Sequence, residues 1–183
     1  MTNVTRLFET IGRVLADALG TARRKPAARG FVPRPAPPAG DRTVASPGGA
    51  YPGDFLGRPE ITYAPLPGDL PDPGEVVWGW VPYEEDHRDG KDRPVLVIGR
   101  DADWLLALPL TSVDHDQDAA QEAREGRYWM DVGSGPWDRQ QRPSEARLDR
   151  IIRLDPATVR RVGGTLSRDL FAEVADAVRL HSR

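Results

Sequence analysis

Apolar residues at helical spacing open the chain. Within residues 4–23, Leu7, Ile11, Val14, Leu15, Ala18 and Leu19 fall on one face, the pattern of an amphipathic helix. Arg23, Arg24 and Lys25 put cations in its last turn and Pro26 stops it, so we assign a helix to residues 1–25. The periodicity then disappears. Twelve of the 18 prolines lie between 26 and 73, among few aliphatic residues. Such a stretch buries too little apolar area to offset its ordering entropy. We read 26–50 as a disordered, partly extended linker. Residues 51–73 carry Tyr51, Phe55, Ile61, Tyr63 and Leu66, and we expect them to drape over the domain that follows.

From Gly74 the pattern becomes that of short strands. Glu75–Val81 is β-branched and aromatic, as strands are. A charged loop, 84–92, leads to Pro94–Ile98 and then to Trp104–Leu110. Both are continuous apolar runs, short enough for strands buried on two faces. Asp114–Gly126 reads as an acidic surface loop or short helix. Tyr128–Val132 and Ala146–Leu154 read as the last two strands. Two helices are expected to finish the chain. The first is Pro156–Val162, with Asp155 as N-cap and proline at N1. The second is Arg168–His181, capped by Ser167, with Phe171, Val174, Ala175 and Val178 on its apolar face and Leu180 at the margin. The fold class is α+β and mainly β: a small twisted barrel with C-terminal helices, spanning 51–183.

Composition narrows the chemistry. With no cysteine, thiolate zinc sites, disulfides and Cys nucleophiles are excluded. His87, His115 and His181 are the only imidazoles. His115 lies near Asp114, Asp116 and Asp118, at a spacing that matches no ligand pattern, and we expect no metal and no cofactor. His87 is either a solvated loop residue or a general base folded over its neighbours. Net charge is −3, which speaks against a generic nucleic-acid coat but not against a nuclease with a local basic groove. No run of about 18 apolar residues exists to form a transmembrane segment. Arg6, Glu9, Arg13 and Asp17 interrupt any signal-peptide core, so a cytoplasmic protein is expected.

Four elements in one order carry a resemblance. Gly74-Glu75-Val76-Val77-Trp78 is followed, after a polar loop, by Arg93-Pro94-Val95-Leu96-Val97-Ile98. Then come Leu108-Pro109-Leu110-Thr111-Ser112 and Leu148-Asp149-Arg150-Ile151-Ile152-Arg153-Leu154-Asp155. Over about 74–181 the chain resembles the MazF/PemK family of toxin–antitoxin endoribonucleases. The resemblance implies an SH3-like barrel, usually a homodimer, that binds single-stranded RNA across a groove. It also implies inhibition by a small antitoxin whose disordered tail fills that groove. Two catalytic positions carry over, to Arg93 and Thr111. The chain departs from the family where Glu85–Asp92 replaces a Gly-Ser-Glu-Gln loop, and where Arg150 and Ile152 replace Gln and Arg.

These residue types suit cleavage without a metal. Holding a ribose 2′-OH in line with phosphorus supplies a proximity advantage. A planar guanidinium binds two phosphoryl oxygens as charge builds on them, the role expected of Arg93. A hydroxyl at Thr111 donates to a phosphate oxygen or orients the 2′-OH. Lys91 and Ser112 flank these two. Arg147 and Arg150, from an arginine run that extends to Arg161, are expected to line the groove for phosphates; the other reading pairs them with Glu145, Asp149 and Asp155. Trp78, Trp80 and Trp104 read as core, and Trp137 as the candidate for base stacking. Two other readings stand beside the enzyme: a catalytically silent binding module on the same barrel, as in the CcdB gyrase poisons, and a scaffold tethered to membranes by the N-terminal helix.

Overall fold

A computed structural model describes residues 43–45, 51–68, 70–114 and 119–182. The helix expected in 1–25 lies outside the described residues, and so does the 26–50 linker apart from 43–45. The order is β1 (Thr43–Ala45), β2 (Glu75–Pro82), β3 (Asp89–Asp101), β4 (Trp104–Thr111), α1 (Ala119–Arg124), β5 (Trp129–Gly133), β6 (Ser144–Arg147), β7 (Ile152–Leu154), β8 (Arg160–Thr165) and α2 (Arg168–His181). The strands form one curled, half-barrel sheet in the order β5-β6-β4-β3-β2-β8, with β1 on β3 and β7 on β4, every pairing antiparallel.

The centre of the sheet is β3. Leu96 and Ile98 join one buried cluster, together with Leu106, Leu108, Leu110 and the α2 residues Phe171, Val174 and Val178. Val95 and Val97 join a second cluster on the other face, with Val77, Leu105, Ala107, Ile152 and Leu154. A strand with period 2 and apolar residues at every position has to be covered on both sides. α2 covers the first side, N-capped by Ser167, whose Oγ accepts from Leu170 N.

Residues 51–74 also pack there. Phe55 N donates to Ile151 O at 2.8 Å, Thr62 N to Ile98 O at 3.1 Å and Gly74 N to Val97 O at 2.8 Å. Tyr63 Oη donates to Leu166 O at 2.8 Å, and its ring lies 5.1 Å from Phe171. A Cβ at position 99 would stand 2.3 Å from Glu60 O, so only glycine lets this strap approach β3 so closely. Leu66 turns outward and is exposed.

The structure corrects several sequence expectations. The helix expected at Pro156–Val162 is a single turn followed by β8. Asp155 does bond to Ala157 N and Thr158 N, but the chain then pairs with β2, Trp78 facing Arg160 and Glu75 facing Thr165. An open strand edge outweighs the helix propensity of β-branched residues. The strand expected at Ala146–Leu154 is two strands. Four residues of β4, Ala107 to Leu110, span seven of the partner, Ile152 back to Ala146, so 148–151 bulge out of the ladder. The charged loop ends early, because Asp89–Asp92 already belong to β3. Trp137 is buried rather than offered to a base: its Nε1 donates to Ser144 Oγ, and Gly135 and Gly164 make room for the ring. Leu180 is 80% exposed. The short helix α1 lies inside 114–126, of which 115–118 are outside the described residues.

Phe171→Ala empties the centre of the first cluster, and a loss of about 3–5 kcal/mol is expected from the cavity. Ser167→Ala removes only the cap, at about 1 kcal/mol. Denaturant melts of both variants check this; a smaller loss for Phe171→Ala than for Ser167→Ala would contradict the packing described.

Candidate functional site

Strand register brings Arg93 and Thr111 to one end of the sheet. Val95 faces Pro109; two residues further along each strand stand Arg93 and Thr111. Alternation puts them on one face as well. Leu96 and Leu108 belong to the α2-side cluster, so Arg93, like Val95, and Thr111, like Ala107, belong to the opposite face. Lys91 has the same parity as Arg93. On β6, Ala146 faces the α2 side, which leaves Glu145 and Arg147 on the side of Arg93. Glu145 is directly across from Thr111.

Arg93 occupies an unusual stretch of β3. The pairing with β1 ends at Lys91 and the pairing with β4 at Val95. Between them, Asp92–Pro94 have no strand partner on that edge among the described residues, and Pro94, without an N–H, is suited to such a place. On the other edge Arg93 faces Gly79, which puts no side chain beside it. Among the described residues no carboxylate is paired with Arg93; the adjacent Asp92 is engaged by Arg160 instead. Arg93 is half-buried, a guanidinium held by its strand and left without a carboxylate partner among the described residues. Thr111 is 9% exposed, and its Oγ1 accepts from Val113 N at 3.1 Å, which shapes the exit from β4. Ser112 is exposed beside it, and Lys91 Nζ lies 5.9 Å from the centroid of the Tyr83 ring.

The two other arginines expected at the groove are held by protein carboxylates. Arg147, with its side chain 11% exposed, pairs with Asp149 at 3.0 Å and with both oxygens of Glu84 at 2.8 and 2.9 Å. Burial pulls its pKa down, but bonds to Asp149 and Glu84 outweigh that and raise it. Arg150 is 8% exposed. Its Nε donates to Asp54 at 2.7 Å and its Nη2 to Pro82 O at 2.8 Å. A buried guanidinium with these partners is satisfied inside the fold. Arg142 is paired with Asp138, and Arg139 is exposed. Among the described residues no three His, Asp or Glu side chains gather as metal ligands would; His115, Asp116 and Asp118 lie outside them.

Sequence reasoning missed Tyr51, Asp54 and Glu84. Tyr51 Oη donates to Asp54 at 2.5 Å and accepts from Arg153 N; its ring meets the edge of His87 at 5.1 Å. Nothing in local spacing links residues about 100 positions apart; the only signal was an aromatic and an acid set close together in a proline-rich stretch.

With this geometry in place, similarity to known proteins becomes informative. A family model described as "PemK-like, MazF-like toxin of type II toxin-antitoxin system" matches residues 72–181, more than half of the chain. The chain belongs to this family. The toxin-family match encloses Arg93 and Thr111 but not Tyr51 or Asp54. Among solved structures, MazF (Form-I) from Deinococcus radiodurans is 22% identical, with a TM-score of 0.43, covering 60% of this chain and 93% of that one. MazE-MazF (Form-II) from the same organism is 21% identical, with a TM-score of 0.41, covering 60% and 92%. No curated protein matches the chain. Among the described residues no helix is long and apolar enough to cross a membrane.

Burial, then the bond and charge of Asp54, raise the Tyr51 phenol well above its usual value of 10.0. The folded chain therefore keeps a proton that the unfolded chain loses near pH 10, and stability falls as pH rises above that point. Tyr51→Phe, which has no proton to lose, is expected to flatten this alkaline fall. Melts between pH 8 and pH 11, at about half-unit steps, check the sign; equal slopes for the two proteins would contradict it.

Proposed function

We propose that this protein is a toxin-type, sequence-selective endoribonuclease, an mRNA interferase, that cleaves single-stranded RNA without a metal. The family match over 72–181 supports the reading, and the observation that carries it is Arg93, without a paired carboxylate among the described residues, on the same sheet face as Thr111 just past the last β3–β4 pair. In this mechanism the ribose 2′-OH attacks phosphorus, the 5′-oxygen leaves, and a 2′,3′-cyclic phosphate remains. Arg93 neutralises the charge that develops on the phosphoryl oxygens, and Thr111 orients the phosphate. Lys91 and Ser112 contribute contacts to the backbone of the strand. A cognate antitoxin protein covers this site, the active form is a homodimer built on an SH3-like barrel, and the protein works in the cytoplasm.

Incubation with mixed-sequence RNA in EDTA tests the reading. The native protein is expected to leave 2′,3′-cyclic ends. Arg93→Ala is expected to lose roughly 10²-fold or more in kcat, as loss of a charge-stabilising donor does. Its melting should stay within about 0.5 kcal/mol, since no ion pair among the described residues is broken. Undiminished cleavage by Arg93→Ala would remove Arg93 from the mechanism. Absence of cleavage by the native protein would favour a binding module on the same sheet.

A further inference from the structure

The β2–β3 connection, residues 83–88, is held from outside its own hairpin at three points. Where it begins, Pro82 O accepts from Arg150 Nη2 at 2.8 Å. Two residues on, Glu84 takes a two-pronged contact from Arg147 at 2.8 and 2.9 Å. Towards its end, the His87 ring stands edge-on to Tyr51. Each anchor has its own support. Arg147 is backed by Asp149 at 3.0 Å. Arg150 is backed by Asp54 at 2.7 Å, and Asp54 by Tyr51 Oη at 2.5 Å. Phe55 N to Ile151 O, and Arg153 Nη1 to the carbonyls of Gly53 and Asp54, fix that end of the strap to the 151–153 segment.

The connection also bonds to itself. Tyr83 N donates to Asp89 O, Asp89 N to Asp86 O, and Arg88 N to Asp86 Oδ1. These bonds close the tip. They leave undetermined the direction in which the closed tip points, because all of them lie within it. The outer anchors set that direction. It matters because the chain leaving the tip reaches Lys91 and Arg93 within a few residues, along the stretch of β3 that has no strand partner on one edge.

We infer that Asp54, Arg147 and Arg150 are positioning residues that hold the β2–β3 connection, so that the strap N-terminal to the family-matched region is a working part of the site. The effect on turnover rests on the ribonuclease reading; the hold on the connection does not. The 148–151 bulge is then functional: it frees Arg150 from the strand ladder to reach both the strap and Pro82. The bidentate grip suits arginine, because its planar fork engages a carboxylate with two parallel bonds.

The test uses the full chain with Asp54→Asn and, separately, Glu84→Gln. The second changes a half-exposed loop residue and leaves the core untouched. Val178→Ala, in the core cluster on α2, is the control for lost stability. Backbone amide exchange over 83–89 is expected to quicken by roughly tenfold in both variants, with Val95–Ile98 unchanged, as in a local opening. In EDTA, kcat on single-stranded RNA should fall by about tenfold or more with KM nearly constant, as misplacement of a catalytic group produces; the control should show neither effect. Unchanged exchange at 83–89 in both variants would overturn the inference. So would quickened exchange with a kcat no lower than that of the control. If the native protein cleaves no RNA, the ribonuclease reading fails and exchange decides alone: quickening confined to 83–89 upholds the hold on the connection, and uniform or no quickening overturns it.

Discussion

The double burial of β3 is the constraint on which this architecture rests. Val95, Leu96, Val97 and Ile98 are each fully buried, so both faces of the strand need cover and both edges need hydrogen-bond partners. β2 and β4 supply the edges, α2 and the strap cover one face, and β7 with Leu154 closes over the other. At Asp92–Pro94 β3 has no strand partner on one edge among the described residues, and Arg93 stands there. The strand that could least tolerate exposure in its centre is thus the one that carries the candidate guanidinium at its less protected end.

The charges around the site are divided by burial. Arg147 and Arg150 are drawn inward, where an unpaired cation would be costly, and Asp149, Glu84 and Asp54 compensate them. Arg93 has no such carboxylate among the described residues and is left for an external anion. A modest overall charge of −3 is compatible with that arrangement, because recognition of one phosphate depends on the charges nearest to it rather than on the sum over the chain.

Proline-rich composition does not by itself make a segment a spacer. Between Tyr51 and Gly74 the chain buries Phe55, Ile61 and Tyr63 in part and closes hydrogen bonds to β3 and to the 151–153 segment. Prolines restrict the unfolded chain and so lower the entropy lost on docking. A few aromatic anchors, spaced along a stiff segment, then suffice to hold it against the sheet.

Periodicity alone was enough to place β2, β4 and α2, the buried run of Val95–Ile98, and the apolar face Phe171, Val174, Ala175 and Val178. Each of these depends on spacing between near neighbours, which the sequence displays directly. Four motifs in order also placed Arg93 and Thr111 as site candidates, and their separate strands meet through a register that apolar alternation dictates. What local spacing does not contain is the choice between competing partners. β8 formed in place of a helix because β2 had an open edge. Arg150 turned to Asp54 because a bulge opposite β4 freed it. Trp137 was buried because two glycines, one of them distant in sequence, left room for its ring. Those outcomes compare free energies of contacts between remote segments, and only the folded chain brings the segments together.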